Sequence, residues 1–352
     1  MNLDLDETQT LLRDTAREFL EAEVSFDRVR ELERELRWDE ALWKAVADQG
    51  WLALPFAEAS GGGGGLVDAG LLLEEFARRA ALVPLAEAWA CGIACPELAP
   101  AIATGGARVV PAVFEASDEP GRVDLAVEGG RLRGEKLFVD YGAFASHHLV
   151  AARDGDAPAL FRVDASADRV CCEPLRTIGR TPSAKVRYDG AAVERVGDAD
   201  AFARLVLLAR AFAAVQCVGS AQQALDMTVR YTGVREAFGR PIASFQAVKH
   251  HAANMAIRVA GARFLAYEAL QALGNGTATP RQVALAKASA SRMVPEVTML
   301  AHQLHGGNGI IEENDLYFFT LRGKDRSLAW GSAEECLAEA AGEVEAPRDW
   351  LG

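Results

Sequence analysis

The stretch from residue 235 to residue 250 reads REAFGRPIASFQAVKH and separates two long segments of helical pattern. Apolar residues recur at helical spacing from Asp200 to about Tyr231 and again from Ser244 to Leu273. The stretch therefore begins as a loop between two helices, in which Gly239 lets the chain turn. Segments of roughly 25 to 32 residues are long for globular helices and are typical of a helix bundle.

Two further segments of the same kind follow, from Pro280 to His305 and from Ser332 to Ala341. We therefore predict a C-terminal four-helix bundle over residues 199–352. Residues 303–309, at the end of the third helix, read QLHGGNG. Because glycines let backbone amides approach a phosphate closely, this turn is a candidate anion site.

The rest of the chain has two different patterns. Residues 1–107 show helical spacing and predict an N-terminal helical domain, with helices at 8–23, 39–49 and 68–81. The glycine run at 61–65 lacks the lysine and hydroxyl residue of a phosphate loop, so we interpret it as a connection between helices.

Residues 108–198 contain short β-type runs divided by turn residues, with no helix of useful length between them. The predicted strands are 109–114, 131–139, 147–152, 159–163 and 184–188. Gly129-Gly130 and Asp154-Gly155 are typical hairpin turns. The fold class predicted from the whole chain is therefore α+β, with a middle antiparallel β domain between the helical domain and the bundle.

Composition excludes several functions. The formal net charge of −13 argues against nucleic-acid binding. The most apolar stretch, 201–219, carries Arg204 and Arg210, which argues against a membrane span. The acidic N-terminus lacks a signal-peptide pattern, and the six cysteines show no disulfide or zinc pattern, so we expect a cytoplasmic protein. His250 and His251 lie on successive helix positions that diverge by about 100°, and no carboxylate or cysteine joins His302 and His305 at a recognised ligand spacing, so no metal site is predicted.

Residues 235–250 resemble the R-x-x-F-G-x-x-I-x-x-F-Q block of the acyl-CoA dehydrogenase family, and residues 303–309 resemble its Q-x-x-G-G-x-G turn. Each stretch alone is also explained by a helix cap with an arginine salt bridge. Their spacing, two long helices apart, is also that of the family. Weaker similarities include Trp51, Gly134-Glu135-Lys136 and Arg180-Thr181-Pro182-Ser183, so the resemblance covers nearly the whole chain.

The resemblance implies that these two stretches bind FAD across a subunit interface. In the family they reach the adenosine and pyrophosphate half of a partner subunit's FAD rather than the FAD on their own sheet. The residues carried over to this role are Arg235, Phe238, Gln246, Gln303, Gly306 and Gly307. An arginine fork suits a pyrophosphate, and Phe238 offers an apolar face for an adenine or flavin edge.

The family's catalytic base is missing. Most members carry it as the glutamate of a Tyr-Glu-Gly-Thr-like turn, and counting 21 positions from Gly309 lands on Trp330. Other members carry it on the first bundle helix before an arginine, where this chain has Ala209 before Arg210. Neither tryptophan nor alanine can take the α-proton of a thioester. No catalytic residue is therefore assigned, although Asp325, Glu334 and Glu335 lie nearby in sequence.

The residues expected over the chain's own flavin also differ from the family pattern. Residues 113–120 read VFEASDEP where the family has Thr-Glu-Pro-x-x-Gly-Ser, and Phe138-Val139-Asp140 replaces its Trp-Ile-Thr/Ser strand. Phe138 can still stack on an isoalloxazine edge. Asp140 is expected to place a negative charge near flavin N5 and disfavour hydride arrival there. The sequence therefore predicts a degenerate flavin pocket in this chain.

These observations favour a non-catalytic subunit of a heteromeric acyl-CoA dehydrogenase. The resemblance implies an α2β2 heterotetramer with two FADs, in which a second subunit carries the catalytic glutamate and the substrate is an acyl-CoA thioester, steroid side chains among them. An active homomeric dehydrogenase or oxidase with a displaced base is the main alternative. A scaffold or regulatory protein that binds no flavin is the third.

Overall fold

The computed structural model describes residues 4–117 and 121–342. Its fold is of the predicted class: N-terminal helices, a middle β region and a C-terminal helical domain. Residues 118–120 of the stretch compared with the family pattern, and the last ten residues of the predicted bundle domain, lie outside the described residues.

From residue 4 to residue 107 the structure has six α-helices, and the three predicted ones are among them. The helices are α1 (Glu7–Glu23), α2 (Phe26–Glu35), α3 (Glu40–Asp48), α4 (Leu66–Arg78), α5 (Leu85–Ala94) and α6 (Ala99–Ala103). The Asp6 carboxylate caps the start of α1 by accepting a hydrogen bond from the Gln9 backbone amide. In return, the Gln9 side-chain oxygen accepts one from the Asp6 backbone amide, which completes a reciprocal cap. The glycine run is a connection, as expected, and precedes α4.

Three of these helices were not predicted. Helix α2 has only ten residues and is strongly charged, so its apolar stripe of Phe26, Val29 and Leu32 is too short to stand out. Helix α5 is buried almost all round, which removes the contrast between an inner and an outer face. Helix α6 has only five residues, too few to show a period.

The middle region forms two four-stranded sheets. Its strands are β1 (Val109–Ala112), β2 (Val127–Glu128), β3 (Arg131–Asp140), β4 (His147–Asp154), β5 (Ala157–Asp164), β6 (Val170–Leu175), β7 (Ser183–Ala192) and β8 (Glu194–Gly197). One sheet has the order β1-β4-β5-β8 and the other β2-β3-β7-β6. The pairing is not purely antiparallel as expected, because β1 and β4 pair in parallel and Ala126 and Arg153 form an isolated parallel bridge. The chain between them forms β2 and β3 of the other sheet and returns in the same direction.

The C-terminal region is built on three long helices, α7 (Ala199–Val234), α8 (Gln246–Gly274) and α9 (Pro280–His305). A short hairpin, β9 (Glu236–Ala237) and β10 (Arg240–Pro241), connects α7 to α8. The fourth predicted segment, Ser332 to Ala341, is a helix, α11 (Ala333–Gly342), which packs on α9. A helix that was not predicted, α10 (Leu316–Leu328), precedes it and packs on α7 and α9. Helix α10 carries seven polar or glycine residues among thirteen, and this hid its buried face.

Helix α7 lies at the centre of the molecule. Among the described residues it is the one helix long and apolar enough to cross a membrane, but 72% of that window is buried inside the protein. It crosses α4 closely, since a Cβ added at Gly219 would lie 2.4 Å from the Glu74 carbonyl oxygen. Trp89 of α5 packs on Phe212 of α7 with ring centroids 6.3 Å apart. These contacts join the N-terminal helices to the bundle.

Candidate functional site

Three bundle helices meet at one end of the molecule. Helices α7 and α9 both end there, where Tyr231 stacks on the buried His305 with ring centroids 4.5 Å apart and an interplanar angle of 17°. Helix α8 begins at the same end, after the β9–β10 hairpin. We call this surface the bundle end. The fold brings the six predicted cofactor-binding residues together on it: Arg235, Phe238, Gln246, Gln303, Gly306 and Gly307.

The hairpin of the bundle end is held by its backbone, and its side chains point outward. The Ile242 amide donates to the Arg235 carbonyl at 2.8 Å. Phe238 has a left-handed φ of 53° and is 96% exposed, with its ring edge-on to Phe245. The Arg235 side chain is exposed and has no hydrogen bond or ion pair within residues 4–117 and 121–342. An exposed aromatic ring beside an unpaired guanidinium is available to a ligand or partner.

The glycine turn at the end of α9 is equally open. Gly306 has φ 58°, and a Cβ at Gly306 or Gly307 would meet no atom within 4 Å. His302 fixes the turn from behind, since its Nδ1 lies 2.8 Å from the Gly309 carbonyl oxygen. The sequence alone did not assign this positioning role to His302. Gln303 is exposed on the same turn.

A second candidate site lies between the β domain and α10, in the part of the fold where the family base was expected. It is a cleft of about 270 Å³ whose lining includes Phe114, Phe138, Ile178, Leu328 and Trp330. We call it the Trp330 cleft. The Trp330 ring packs on Phe114 with centroids 5.0 Å apart, so two aromatic rings lie together at the position predicted for the base. Ala209, the second position predicted for the base, is a buried residue of α7.

Two buried cations hold the Trp330 turn in place. Arg210 Nε donates to the Trp330 carbonyl at 2.9 Å, and its other end pairs with Glu339. The Lys287 ammonium is fully buried and donates to the Gly331 carbonyl at 2.8 Å, to the Ser327 carbonyl at 2.9 Å and to the Ser291 hydroxyl at 2.7 Å. Burial lowers the pKa of Lys287. Neither role was visible in sequence, because the donors and acceptors are up to 120 residues apart.

The floor of the Trp330 cleft is a buried ion cluster centred on Arg326. Its guanidinium lies 2.5 Å from Asp140, 2.6 Å from Asp325 and 3.6 Å from Glu87. The expectation for Asp140 therefore needs correction, because its charge is paired with Arg326 rather than left free to act on a flavin. Sequence reasoning missed Arg326 and Glu87. Desolvation raises the pKa of Glu87 to about 7, partly opposed by Arg326.

Most other carboxylates near the predicted base position also have partners, whereas Glu334 is exposed on α11. Asp325 accepts from Arg326, and Glu335 accepts the Ser332 amide at 2.6 Å as part of a cap on α11. Glu115 accepts from the fully buried Lys136 and from the amides of Asp124 and Leu125, so it fixes the loop beside the cleft. Within residues 4–117 and 121–342, no cluster of three or more His, Cys, Asp or Glu is placed to hold a metal ion.

Comparison with known proteins identifies the family to which the fold belongs. Residues 6–105 match the N-terminal domain of acyl-CoA dehydrogenases, and residues 201–337 match their C-terminal domain. The chain is 31% identical to the acyl-CoA dehydrogenase IpdE2 of Mycolicibacterium smegmatis, over 97% of this chain and all of that protein.

Two solved structures are similar over almost their full length. One chain of the steroid acyl-CoA dehydrogenase Tcur3481–Tcur3483 (G363A variant) superposes with a TM-score of 0.88 at 31% identity, covering 96% of this chain and 97% of that one. One chain of the ChsE4–ChsE5 complex from Mycobacterium tuberculosis superposes with a TM-score of 0.91 at 27% identity, covering 98% and 100%.

The domain order and the two motifs at the bundle end define the acyl-CoA dehydrogenase fold, whose members are oxidoreductases. The chain belongs to the acyl-CoA dehydrogenase family.

Proposed function

We propose that this chain is the non-catalytic subunit of a heteromeric, α2β2 acyl-CoA dehydrogenase and that its bundle end completes the FAD site of a partner subunit. One contrast carries the proposal. The bundle end presents six exposed motif residues, whereas the base positions hold Trp330 and Ala209. The partner supplies the catalytic glutamate, and the assembly dehydrogenates an acyl-CoA thioester between Cα and Cβ in the cytoplasm.

The bundle end fits an adenosine pyrophosphate. Arg235 offers an unpaired fork to the pyrophosphate, and Phe238 offers an apolar face to the adenine. The open backbone at Gly306 and Gly307 lets amide donors approach an anion, and Gln303 and Gln246 lie beside them. Bound FAD would supply the hydride acceptor for a carbanion-forming dehydrogenation, and this chain would hold and orient it.

The Trp330 cleft fits a second flavin poorly. The Phe114–Trp330 wall occupies the position of the base, and four of the lining side chains are carboxylates against one arginine: Glu87, Asp140, Asp325 and Glu335 against Arg326. Arg326, the one cation among the described lining residues, is already paired with these carboxylates and is not available to a phosphate of FAD or CoA.

The relatives support a heteromer. Two of the similar structures are named as two-component complexes, and one of them as a steroid acyl-CoA dehydrogenase. We therefore propose a steroid-derived acyl-CoA as the substrate of the assembled enzyme. The outer faces of α8 and α9 also expose large apolar side chains, among them Ile257 (70%) and Met299 (71%), which suit subunit contacts.

Flavin content tests the proposal directly. Expressed alone, the chain should be colourless or unstable. Co-expressed with a family member that has an intact Tyr-Glu-Gly-Thr turn, it should purify as a complex with about one FAD per heterodimer, since only one of the two pockets is complete. Absorbance and protein mass measure this ratio. A stable yellow homotetramer with one FAD per chain would reject the proposal.

Substitution of Trp330 tests the assignment of the cleft. Trp330→Glu restores the residue type that the family has at this position, and a correctly placed base raises the reaction rate by roughly 10²- to 10⁴-fold. We nevertheless expect no acyl-CoA oxidation by the isolated variant chain, because proton abstraction is useless where no flavin is seated. Trp330→Ala should leave turnover of the complex largely unchanged. Both are measured by dye reduction, with the assembly confirmed by its mass; a large loss in Trp330→Ala would mark the cleft as a working site.

One observation favours the alternative, an active homomer with a displaced base. A carboxyl group with a pKa of about 7 suits a general base, and Glu87 lines the cleft. Under this alternative, the isolated chain is yellow and oxidises an acyl-CoA, and Glu87→Gln abolishes that activity with the flavin retained.

A further inference from the structure

A cavity of about 700 Å³ lies between the N-terminal helices and the bundle, apart from both sites described above. Residues of α1, α2, α4, α7 and α8 line it, together with Asp315 next to α10, and no strand contributes a described residue to it. We call it the Arg79 cavity. Its volume lies in the range of about 300–1,000 Å³ that is typical of small-molecule sites.

Most charged side chains of this lining already have partners. Arg17 and Arg78 both pair with the buried Glu75, at 2.7 Å and 3.3 Å. Arg78 also pairs with Asp226 at 2.8 Å. The partner of Asp315 is an arginine outside the lining. These contacts join α1, α4 and α7 and leave no charge from these residues for a ligand.

Two arginines of the Arg79 cavity have no carboxylate partner in the part of the chain that the structure describes. Arg79, directly after α4, places its guanidinium 4.7 Å from the centre of the Phe26 ring and donates from Nη2 to the Val24 carbonyl at 2.5 Å. Its Nε is buried and has no acceptor among the described residues. Arg230 on α7 is exposed and makes no hydrogen bond or ion pair with them.

The two unpaired guanidiniums lie close enough to affect each other. Burial lowers the pKa of Arg79, and the like charge of Arg230 adds to that shift, whereas the carboxylates of Glu21 and Asp315 partly oppose it. Glu21, exposed on α1, is the one lining carboxylate without an ion pair among the described residues. Two unpaired arginines therefore stand against one unpaired carboxylate. A donor without an acceptor and an uncompensated positive charge favour a bound monoanion.

Much of the remaining lining is aliphatic. It consists of side chains from two bundle helices, Leu225, Met227 and Val229 on α7 and Ala252 and Ala256 on α8. Val229 is 50% exposed. The Phe26 ring already contacts Arg79 and Phe318, so it offers little surface to an aromatic ligand. Aliphatic side chains beside a free cation suit a ligand that combines an anionic group with a hydrocarbon chain.

We propose that the Arg79 cavity binds an aliphatic monocarboxylate. The carboxylate lies between the guanidiniums of Arg79 and Arg230 and accepts a hydrogen bond from Arg79 Nε. The hydrocarbon chain lies along the aliphatic side chains of α7 and α8. The cavity shares no lining residue with the Trp330 cleft or with the six residues of the bundle end, so the proposal goes beyond the flavin function proposed above and does not depend on it.

Titration of the assembled complex with octanoate, followed by calorimetry, tests this site. We expect saturable binding at one site per copy of this chain, and this binding should weaken as the salt concentration rises because the cavity is open to solvent. Octanol has the same chain without the charge and should bind about tenfold more weakly, or worse, because the charge-assisted hydrogen bonds are lost. Acetate, which lacks the chain, and octylammonium, which has the opposite charge, should not bind measurably.

Substitution of the two arginines locates the bound octanoate. Arg230→Gln removes an exposed guanidinium without a partner among the described residues, so it should weaken octanoate about tenfold and leave the melting temperature unchanged. Arg79→Gln should weaken octanoate at least as much. Because Arg79 also contacts Val24 and Phe26, thermal unfolding of this variant accompanies the titration, and Arg230→Gln decides the outcome if Arg79→Gln is unstable.

Arg204 provides the matched control. It is an exposed arginine on the same helix as Arg230, outside the cavity lining and roughly 39 Å away at 1.5 Å per residue. Arg204→Gln should bind octanoate as the unsubstituted complex does. An equal loss in this control would show only a general attraction of the surface for anions and would overturn the proposal.

Other results would also overturn it. Equal affinities for octanoate and octanol would show only an apolar surface. Unchanged octanoate affinity in Arg230→Gln would place the ligand elsewhere, and binding to the isolated chain that disappears in the complex would show that the partner covers the cavity. The flavin content of the same samples is recorded separately. None of these variants should change it, and its absence from every sample would count against the proposed function and not against this site.

Discussion

Replacing Arg326 by Met should lower the free energy of unfolding by about 3–5 kcal/mol, because the change leaves buried carboxylates without their cation. Arg326 is 9% exposed and pairs with Asp140 and Asp325, with Glu87 at 3.6 Å. The three carboxylates come from α5, β3 and α10, so the cluster ties the three regions of the fold together. Denaturant unfolding of the complex, monitored by circular dichroism, measures the loss.

The loss should depend on pH in a defined direction. Burial already raises the pKa of Glu87 to about 7 and raises that of Asp140, and removing Arg326 raises both further. A carboxyl group whose pKa is higher in the folded state than in the unfolded state destabilises the fold increasingly as pH rises toward that pKa. The variant should therefore be weakest near pH 8 and recover part of the loss near pH 5.

The control for Arg326 is a surface ion pair. Lys44 and Glu40 lie 3.0 Å apart on α3 with side chains 70% and 57% exposed, so Lys44→Met should cost no more than about 1 kcal/mol. A loss under 1 kcal/mol in Arg326→Met, equal to that of the control, would contradict the account of the buried cluster.

Replacing Arg235 by Ala should weaken FAD retention by the complex by about 2 kcal/mol, roughly 30-fold in the dissociation constant. The exposed guanidinium lies at the bundle end with no partner among the described residues, so its removal should leave the fold of this chain intact. Arg235→Lys keeps the positive charge but loses the bidentate hydrogen bonding of the guanidinium, so we expect a loss of FAD retention between those of the unsubstituted complex and Arg235→Ala. Flavin fluorescence on dilution measures the release of FAD from the unsubstituted complex and from the two variant complexes.

Arg281 provides the matched control for Arg235. It is an exposed arginine at the first turn of α9, at the opposite end of that helix from Gly306, which places it roughly 36 Å from the glycine turn at 1.5 Å per residue. Arg281→Ala should retain FAD as the unsubstituted complex does. If Arg235→Ala retains flavin at nanomolar concentration, the role assigned to this residue is wrong.

The long helices and the motifs at their ends could be predicted from sequence, because both signals are local. Helices α7, α8 and α9 keep a regular apolar pattern over many turns, and residues 235–250 and 303–309 are continuous stretches. The fold class therefore followed from the chain alone. Helix α10 escaped detection because its buried face includes Arg322 and Arg326, charged residues that are buried only because partners from elsewhere in the chain meet them.

In the Trp330 cleft, as in the fold, the sequence revealed the local features and missed the long-range contacts. The sequence predicts that Trp330 occupies the position of the base, because the count from a glycine turn is a property of the chain. Only the tertiary structure showed what surrounds it: Lys287 and Arg210 hold its turn, and Glu87, Asp140 and Arg326 meet beneath it from three separate elements. The effect of a charged residue cannot be derived from sequence alone, because burial and pairing with neighbours decide its pKa and the distance over which its charge acts. Asp140 therefore appears as a free negative charge in the sequence and is one half of a buried ion pair in the fold.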